Sequence, residues 1–156
     1  MNPEDINMKP IFESAKQLES ELISIRRTLH QYPEIGCILP RTQSFVFGKL
    51  EEYGYCPQKL CESAVTATIS GKQPGKTILL RADMDALPIQ EAAPVSFASE
   101  NGSMHACGHD GHTAIGLTTA RILMELKDKL HGTLKIIFQP AEEGVRGAKC
   151  ICESGF

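Results

Sequence analysis

A chain of 156 residues, 42% of them hydrophobic, can bury one good core, and its length predicts a single domain. The net charge of -3 and the pI near 5.9 offer no basic stripe for nucleic acid, so we expect small-molecule partners. No apolar run reaches about 18 residues, and no apolar stretch follows a basic start, so neither a membrane span nor a secretory signal is expected. We therefore expect a cytoplasmic protein.

The six cysteines, at positions 37, 56, 61, 107, 150 and 152, are expected to be mostly reduced. This number would permit disulfides in a secreted protein, but no export signal is expected here. The Cys-x-Cys pair formed by Cys150 and Cys152 is interpreted as ordinary packing, because small apolar thiols are common in protein cores.

Two helices are predicted near the start of the chain. Apolar residues recur at spacings of three and four across 12–29, with charges between them, which indicates an amphipathic helix that ends before Pro33. His30 lies at the end of this helix and, taken alone, is expected to be a C-terminal capping charge rather than a ligand. A second helix is predicted over 42–53.

Strand patterns and a further helix pattern then alternate along the chain. Strands are predicted at 55–60 and 65–70. The run at 77–80 is continuously apolar, as expected of an interior strand covered by helices on both faces. A helix over 115–130 precedes a strand at 134–138. This order predicts an α/β fold, a three-layer α/β/α sandwich with a mixed, largely parallel sheet.

Acidic residues follow two of these strands. Asp83 and Asp85 come after the third strand, and Glu142 and Glu143 after the last. In such sheets, functional residues gather beyond the carboxyl ends of strands. Carboxylates at the exit of a buried strand are costly without partners, so the aspartates either pair with Arg81 or serve a cation or a metal-bound histidine. The residues by themselves leave both alternatives open.

Residues 104–114 read Met-His-Ala-Cys-Gly-His-Asp-Gly-His-Thr-Ala and hold three of the five histidines. Thiolate, imidazole and carboxylate are the ligands that a borderline-soft divalent metal prefers. Cys107 and His109 are two residues apart, so they can reach one cation, or one of them can bridge a pair of cations. The other histidines of the stretch cannot all join them without crowding. Asp110 is a candidate N-cap for the following helix.

The adjacent acids Glu142 and Glu143 suit hydrolysis if a cation absorbs their charge. In extended backbone they would point in different directions, so that one could bind metal while the other faces a substrate. A divalent ion lowers the pKa of bound water toward ~7, and a free carboxylate can take the proton of that water and deliver it to a leaving amine. Considered by itself, the pair is better interpreted as a solvated acidic turn, but together with the Cys-His loop it favours hydrolysis.

Four motifs, in order and spacing, resemble the amidohydrolase branch of the M20 metallopeptidases. This branch includes N-acyl-amino-acid amidohydrolases, hippurate hydrolases and plant auxin-conjugate hydrolases. The motifs occupy residues 29–36, 81–88, 104–114 and 138–144, so the resemblance covers nearly the whole chain. It implies a zinc-peptidase-like catalytic domain.

The resemblance also implies roles for individual residues. Cys107, His109 and Glu143 would be metal ligands in a two-metal centre, and Glu142 would be the general base acting on a metal-bound water. Asp85 would be the carboxylate that orients a ligand and would belong with Glu142 to the catalytic machinery. The cofactors would be two divalent ions (zinc, manganese, cobalt or nickel). The reaction would be hydrolysis of the amide bond of an N-acyl amino acid.

Family members continue beyond the length of this chain. The resemblance implies that residues 1–156 form the N-terminal portion of the catalytic domain, without the satellite dimerisation domain or the C-terminal catalytic segment. The parent enzyme would be a dimer. The isolated chain is expected to hold one metal ion or none and to be inactive or weakly active. The alternative is a non-catalytic metal-binding relic or one part of a split enzyme.

Overall fold

The computed structural model describes residues 9–144 and 146–156. A 3-10 turn, Lys127–Lys129, joins the fourth helix to the last strand. In chain order the described helices and strands are α1 Lys9–Gln17, α2 Glu19–Gln31, α3 Pro40–Glu52, β1 Gln58–Leu60, β2 Ala64–Ser70, β3 Gln73–Asp83, α4 His109–Glu125, β4 His131–Gln139 and α5 Gly147–Glu153.

The helices follow the apolar periodicity closely. The predicted N-terminal helix is divided into α1 and α2 at Leu18, and α2 ends before Pro33 as predicted. Helix α3 begins earlier than predicted, at Pro40, because the fixed φ of proline suits the first turn of a helix. The sequence did not predict α5. No helix within the described ranges is long and apolar enough to cross a membrane.

The sheet has the strand order β1-β2-β4-β3. Strand β4 pairs parallel with β3, while the β1–β2 and β2–β4 pairings are antiparallel. The α/β class and the mixed sheet are confirmed, but the expected predominance of parallel pairing is corrected for the described chain. The reason is local, since the turn 61–63 is too short for the crossover that parallel pairing of β1 with β2 would need.

Helices lie on both faces of this sheet. Helices α3 and α4 cover the face that carries Val65 and Ile136, and α2 packs against α4 to complete the main core. On the opposite face, Ile151 of α5 packs against Ala64 and Ile137. Alternate residues of β2 and β4 therefore enter different cores, as the period of a strand requires.

Strand β3 lies at the edge of the sheet, although an interior position was predicted for it. Within the described residues it is an edge strand, bordered by β4 alone, and Ile78 and Leu79 are 61% and 54% exposed. Prediction of an interior strand from the apolar run at 77–80 was therefore wrong for this part of the chain. No described element covers the outer side of β3, so its apolar side chains form an exposed patch of the kind that marks an association surface.

Candidate metal centre

Three segments bring acidic and imidazole side chains to one edge of the sheet. Strand β3 leads into Asp83 and Asp85, α4 begins with His109, and a turn after β4 carries Glu142 and Glu143. Because β3 and β4 run parallel, with Asp83 paired to Gln139, their carboxyl ends are adjacent. The topology therefore assembles residues that are far apart in the sequence.

The ring of His109 is buried, and its orientation is fixed by one hydrogen bond. Nδ1 donates to the backbone carbonyl oxygen of Asp85 at 2.8 Å. A carbonyl can only accept, so Nδ1 carries a hydrogen, and Nε2 is the ring nitrogen left to bind a cation. Nε2 lies 3.6 Å from Asp83 Oδ1, 3.8 Å from Glu142 Oε2 and 3.9 Å from Glu143 Oε1. These distances exceed those of hydrogen bonds, so Nε2 has three carboxylate oxygens nearby and is bonded to none of them.

Asp85 holds this arrangement together from a fully buried position. The backbone N–H of Glu142 donates to its Oδ1 at 2.9 Å, and that of Glu143 donates to its Oδ2 at 3.1 Å. Its own carbonyl orients His109. One residue therefore fixes the peptide that carries the acid pair and the direction of the imidazole.

The acid pair lies on a turn rather than on extended backbone, which corrects the expected geometry. Ala141 adopts a left-handed conformation with φ of +53° directly after Pro140, and the turn residues follow. Both carboxylates consequently approach the same nitrogen of His109 instead of pointing apart. The side chain of Glu142 is 41% exposed and that of Glu143 is 29% exposed.

Cys107 lies in the loop before α4 and is exposed. The neighbouring Glu143 carboxylate is the main cause that raises the pKa of Cys107. Glu143 also approaches His109, with 3.9 Å between Oε1 and Nε2. Ligand atoms of His109, Glu142 and Glu143 all lie within 4.8 Å of one another.

A second group of potential ligands shares His109. His112 Nδ1 lies 2.7 Å from Asp83 Oδ1, and the two imidazole rings stack with centroids 5.7 Å apart. Asp83 also pairs with Arg81 at 3.1 Å, which is one of the two alternatives that the sequence left open for this carboxylate. Ligand atoms of Asp83, His109 and His112 lie within 4.8 Å of one another. His109 and His112 are three residues apart on α4, and this spacing places their rings side by side on one face of the helix.

His30 and Asp110 occupy positions that the sequence did not predict. Helix α4 begins after Gly108, so Asp110 lies inside the first turn instead of capping it. The buried Oδ2 of Asp110 lies 2.6 Å from His30 Nδ1 and 2.8 Å from Arg26 Nε, while His30 Nε2 lies 2.9 Å from Glu91 Oε1. The expected capping role of His30 is therefore wrong, because its buried ring links α2, α4 and the loop that contains Glu91.

We expect His30→Ala to lower the free energy of unfolding by about 3 kcal/mol, since it leaves two buried carboxylates without their shared partner. Urea denaturation of the purified chain measures this change. His131→Ala, at an exposed position, is the matched control and should change stability by less than about 0.5 kcal/mol. Equal effects of the two substitutions would contradict the bridging role of His30.

Burial of His105 predicts a pH dependence of stability. Neither ring nitrogen has a hydrogen-bond partner among the described residues, and burial lowers the pKa of His105 from 6.5 to about 4. The unfolded chain therefore binds this proton more readily than the folded chain between these pH values. The contribution of neutral His105 to the free energy of unfolding is fully present above pH 6.5. It is lost as the pH falls toward 4, and the total loss is on the order of 3 kcal/mol.

Urea denaturation at several pH values measures this decline. His105→Leu removes the titrating group and should flatten the dependence between pH 6.5 and 4, whereas His131→Ala should retain it. An unchanged slope in His105→Leu would show that another group causes the decline.

Comparison with known proteins identifies the family to which this geometry belongs. Residues 79–156, half of the chain, match the model described as Peptidase family M20/M25/M40. The chain belongs to this family. The resemblance inferred from the four motifs is therefore confirmed, and the candidate metal centre lies within the residues that match the M20 model.

Relatives cover most of this M20 chain. It is 44% identical to an N-acyl-L-amino acid amidohydrolase of Geobacillus stearothermophilus over 81% of its length, and 47% identical to an N-acetyl-L-cysteine deacetylase of Bacillus subtilis (strain 168) over 88%. The crystal structure of the Bacillus subtilis YXEP protein, a dinuclear metal-binding peptidase of the M20 family, superposes with a TM-score of 0.86 at 42% identity over 90% of the chain.

The chain spans only part of these proteins. It covers 35% of the Geobacillus amidohydrolase, 34% of the Bacillus deacetylase and 40% of the YXEP chain. The edge of the sheet that carries the candidate metal centre lies within the part that the chain shares with them.

Proposed function

We propose that this chain is the N-terminal portion of the catalytic domain of a metal-dependent amidohydrolase that cleaves the amide bond of N-acyl amino acids. The observation that carries the proposal is the buried His109, whose Nε2 lies 3.6 to 3.9 Å from three carboxylate oxygens, too far for hydrogen bonds. Carboxylates grouped this closely repel one another unless a cation lies among them. The names of the amidohydrolase relatives support the choice of reaction.

The donor set fits a divalent transition metal. We assign Cys107, His109 and Glu143 as its protein ligands, because a thiol, an imidazole and a carboxylate suit zinc and are accepted by manganese, cobalt or nickel. The hydrogen bond from Nδ1 of His109 to a carbonyl is the outer contact expected of a ligating histidine. Two divalent ions, when bound, would polarise the amide carbonyl and acidify a water molecule.

The exposures of the two glutamates support different roles. The side chain of Glu143 is the less exposed of the two and lies near the thiol of Cys107, as expected of a ligand. Glu142 is more exposed, so its carboxylate is accessible to a substrate and to the attacking water. Glu142 would take the proton of that water and deliver it to the leaving amine, which departs as a free amino acid. Asp85 would hold both glutamates in place through their backbone N–H groups.

The test is an assay of the longest polypeptide that the gene encodes, with a panel of N-acetyl amino acids and a readout of free amino acid. We expect release that stops when a chelator removes the metal and returns with zinc, manganese, cobalt or nickel. Release that persists in metal-free protein would contradict the proposal. Metal binding without turnover of any member would favour the non-catalytic alternative. The same protein should be dimeric by light scattering.

The purified chain of residues 1–156 is expected to bind metal weakly and to turn over little or no substrate. Its three assigned ligands are few for two ions, and each missing ligand must be replaced by water. Metal analysis should find one ion or none per chain. Turnover at a rate typical of enzymes, about 1 per second or faster, would contradict this expectation.

A further inference from the structure

The sequence predicts ordinary packing for Cys150 and Cys152, but the structure places Cys150 with two other cysteines around one cavity. Cys37, Cys61 and Cys150 line a cavity of about 240 Å³ on the side of the sheet that α5 covers. Cys150 is exposed and Cys61 is half-buried, and both are free thiols. Packing in a core therefore does not account for them, and the expectation of core packing for Cys150 and Cys152 is wrong, since both are exposed.

Two of these thiols are neighbours at this cavity. Cys61 packs against the cluster that contains Ile151, the residue next to Cys150 in α5, and burial together with the nearby Cys150 raises the pKa of Cys61 to about 11. Cys152 cannot take the same place, because residues two apart on a helix face different directions. Cys61 also adopts a left-handed backbone conformation with φ of +51°, which L-residues rarely adopt and which persists only where the surrounding structure holds it.

The pair joins two elements that are otherwise held by a small apolar contact. Cys61 lies in the turn between β1 and β2, and Cys150 lies in α5. Helix α5 packs on the sheet through Ile151, and it begins at Gly147, shortly after the turn that carries Glu142 and Glu143. A covalent bond at this point would tether α5 to the β1–β2 turn.

We propose that Cys61 and Cys150 are a redox-active thiol pair, which hydroperoxides oxidise to an intramolecular disulfide that anchors α5. The exposed Cys150 thiolate attacks one oxygen of hydrogen peroxide, the O–O bond breaks, and a sulfenic acid forms while the leaving hydroxide takes a proton to become water. The sulfur of Cys61 then attacks the sulfur of Cys150. The S–S bond forms, the S–O bond breaks, and the departing hydroxide takes the Cys61 proton, so two thiols and one peroxide give one disulfide and two waters.

Mass spectrometry of the chain after peroxide treatment and alkylation tests the linkage. Trypsin places Cys61 in the peptide 60–72 and Cys150 in the peptide 150–156, so we expect these two peptides to be joined and to separate on reduction with dithiothreitol. Because Cys152 shares the second peptide, fragmentation on either side of Ile151 identifies the linked residue. The Cys152→Ser variant should still form the bond, whereas Cys61→Ser and Cys150→Ser should not.

Hydrogen exchange measures the effect on α5. Amides of residues 147–153 should exchange roughly tenfold more slowly after oxidation than before it, and amides of α3 should not change. Either of two results would overturn the proposal: retention of all six thiols under peroxide, or a linkage of Cys61 or Cys150 to another cysteine or to a second chain. Both measurements use the wild-type chain, so they do not depend on the folding of a variant or on the proposed enzymatic function.

Discussion

Glu142→Gln is expected to lower turnover of an N-acyl amino acid by about 10³-fold in the longest polypeptide that the gene encodes, while the bound metal stays unchanged. The amide has the shape of the carboxylate but cannot accept the proton of the attacking water. The turn itself should survive, because the contact between Glu142 and Asp85 uses the backbone N–H of Glu142 and not its side chain. The rate constant kcat and the metal content of the same sample are the two quantities to measure.

Two control substitutions separate the role of a base from that of a ligand. Glu143→Gln removes an assigned ligand and should reduce metal content as well as turnover. Glu153→Gln changes an exposed carboxylate of α5 and should alter neither quantity. If Glu142→Gln lost metal and turnover together, Glu142 would be a ligand and its assignment as base would be wrong.

Asp85→Asn should weaken metal binding by about 10- to 100-fold and lower turnover with it. Each oxygen of the Asp85 carboxylate accepts one backbone N–H, so an amide in its place can satisfy only one of the two and turns a donor toward the other. The free energy of unfolding should fall by about 1–3 kcal/mol, because a buried N–H loses its acceptor. Competition with a metal indicator gives the affinity, and urea denaturation gives the stability.

An aspartate outside the centre provides the comparison for this substitution. Asp128 is exposed and its carboxylate pairs with Lys72, outside the centre. The substitution Asp128→Asn should therefore leave metal affinity unchanged. Metal affinity equal to wild type in Asp85→Asn would contradict the view that Asp85 positions the acid pair and His109.

Much of the fold could be predicted because its signals are local. The helical periodicity before Pro33 and the β-branched residues of β2 identify those elements within a few residues. Helix α5 has only seven residues and buries one large apolar side chain, Ile151, so it leaves no periodic signal. The apolar run of β3 predicted burial, but exposure depends on which elements lie beside a strand, and the sequence of the strand does not specify them.

Some features of the candidate site could be predicted from local sequence signals, and others could not. The short spacing of Cys107 and His109 and the position of the acids after β4 drew attention to the right segments. The hydrogen bonds of Asp85 to residues more than fifty positions away, and the pairing of His30 with Asp110, depend on tertiary contacts that no local pattern encodes. The direction of the acid pair was predicted wrongly, because the left-handed Ala141 turns the chain where extended backbone was expected.

Titration of the reduced chain with cobalt(II) tests most directly whether a thiol, an imidazole and a carboxylate hold the same cation. The account predicts a thiolate-to-cobalt charge-transfer absorption band. This band should disappear in Cys107→Ser, weaken in His109→Ala and Glu143→Gln, and remain in Cys150→Ser, which alters a cysteine outside the centre. Cobalt that binds without a charge-transfer band, or a band that Cys107→Ser leaves unchanged, would contradict the account.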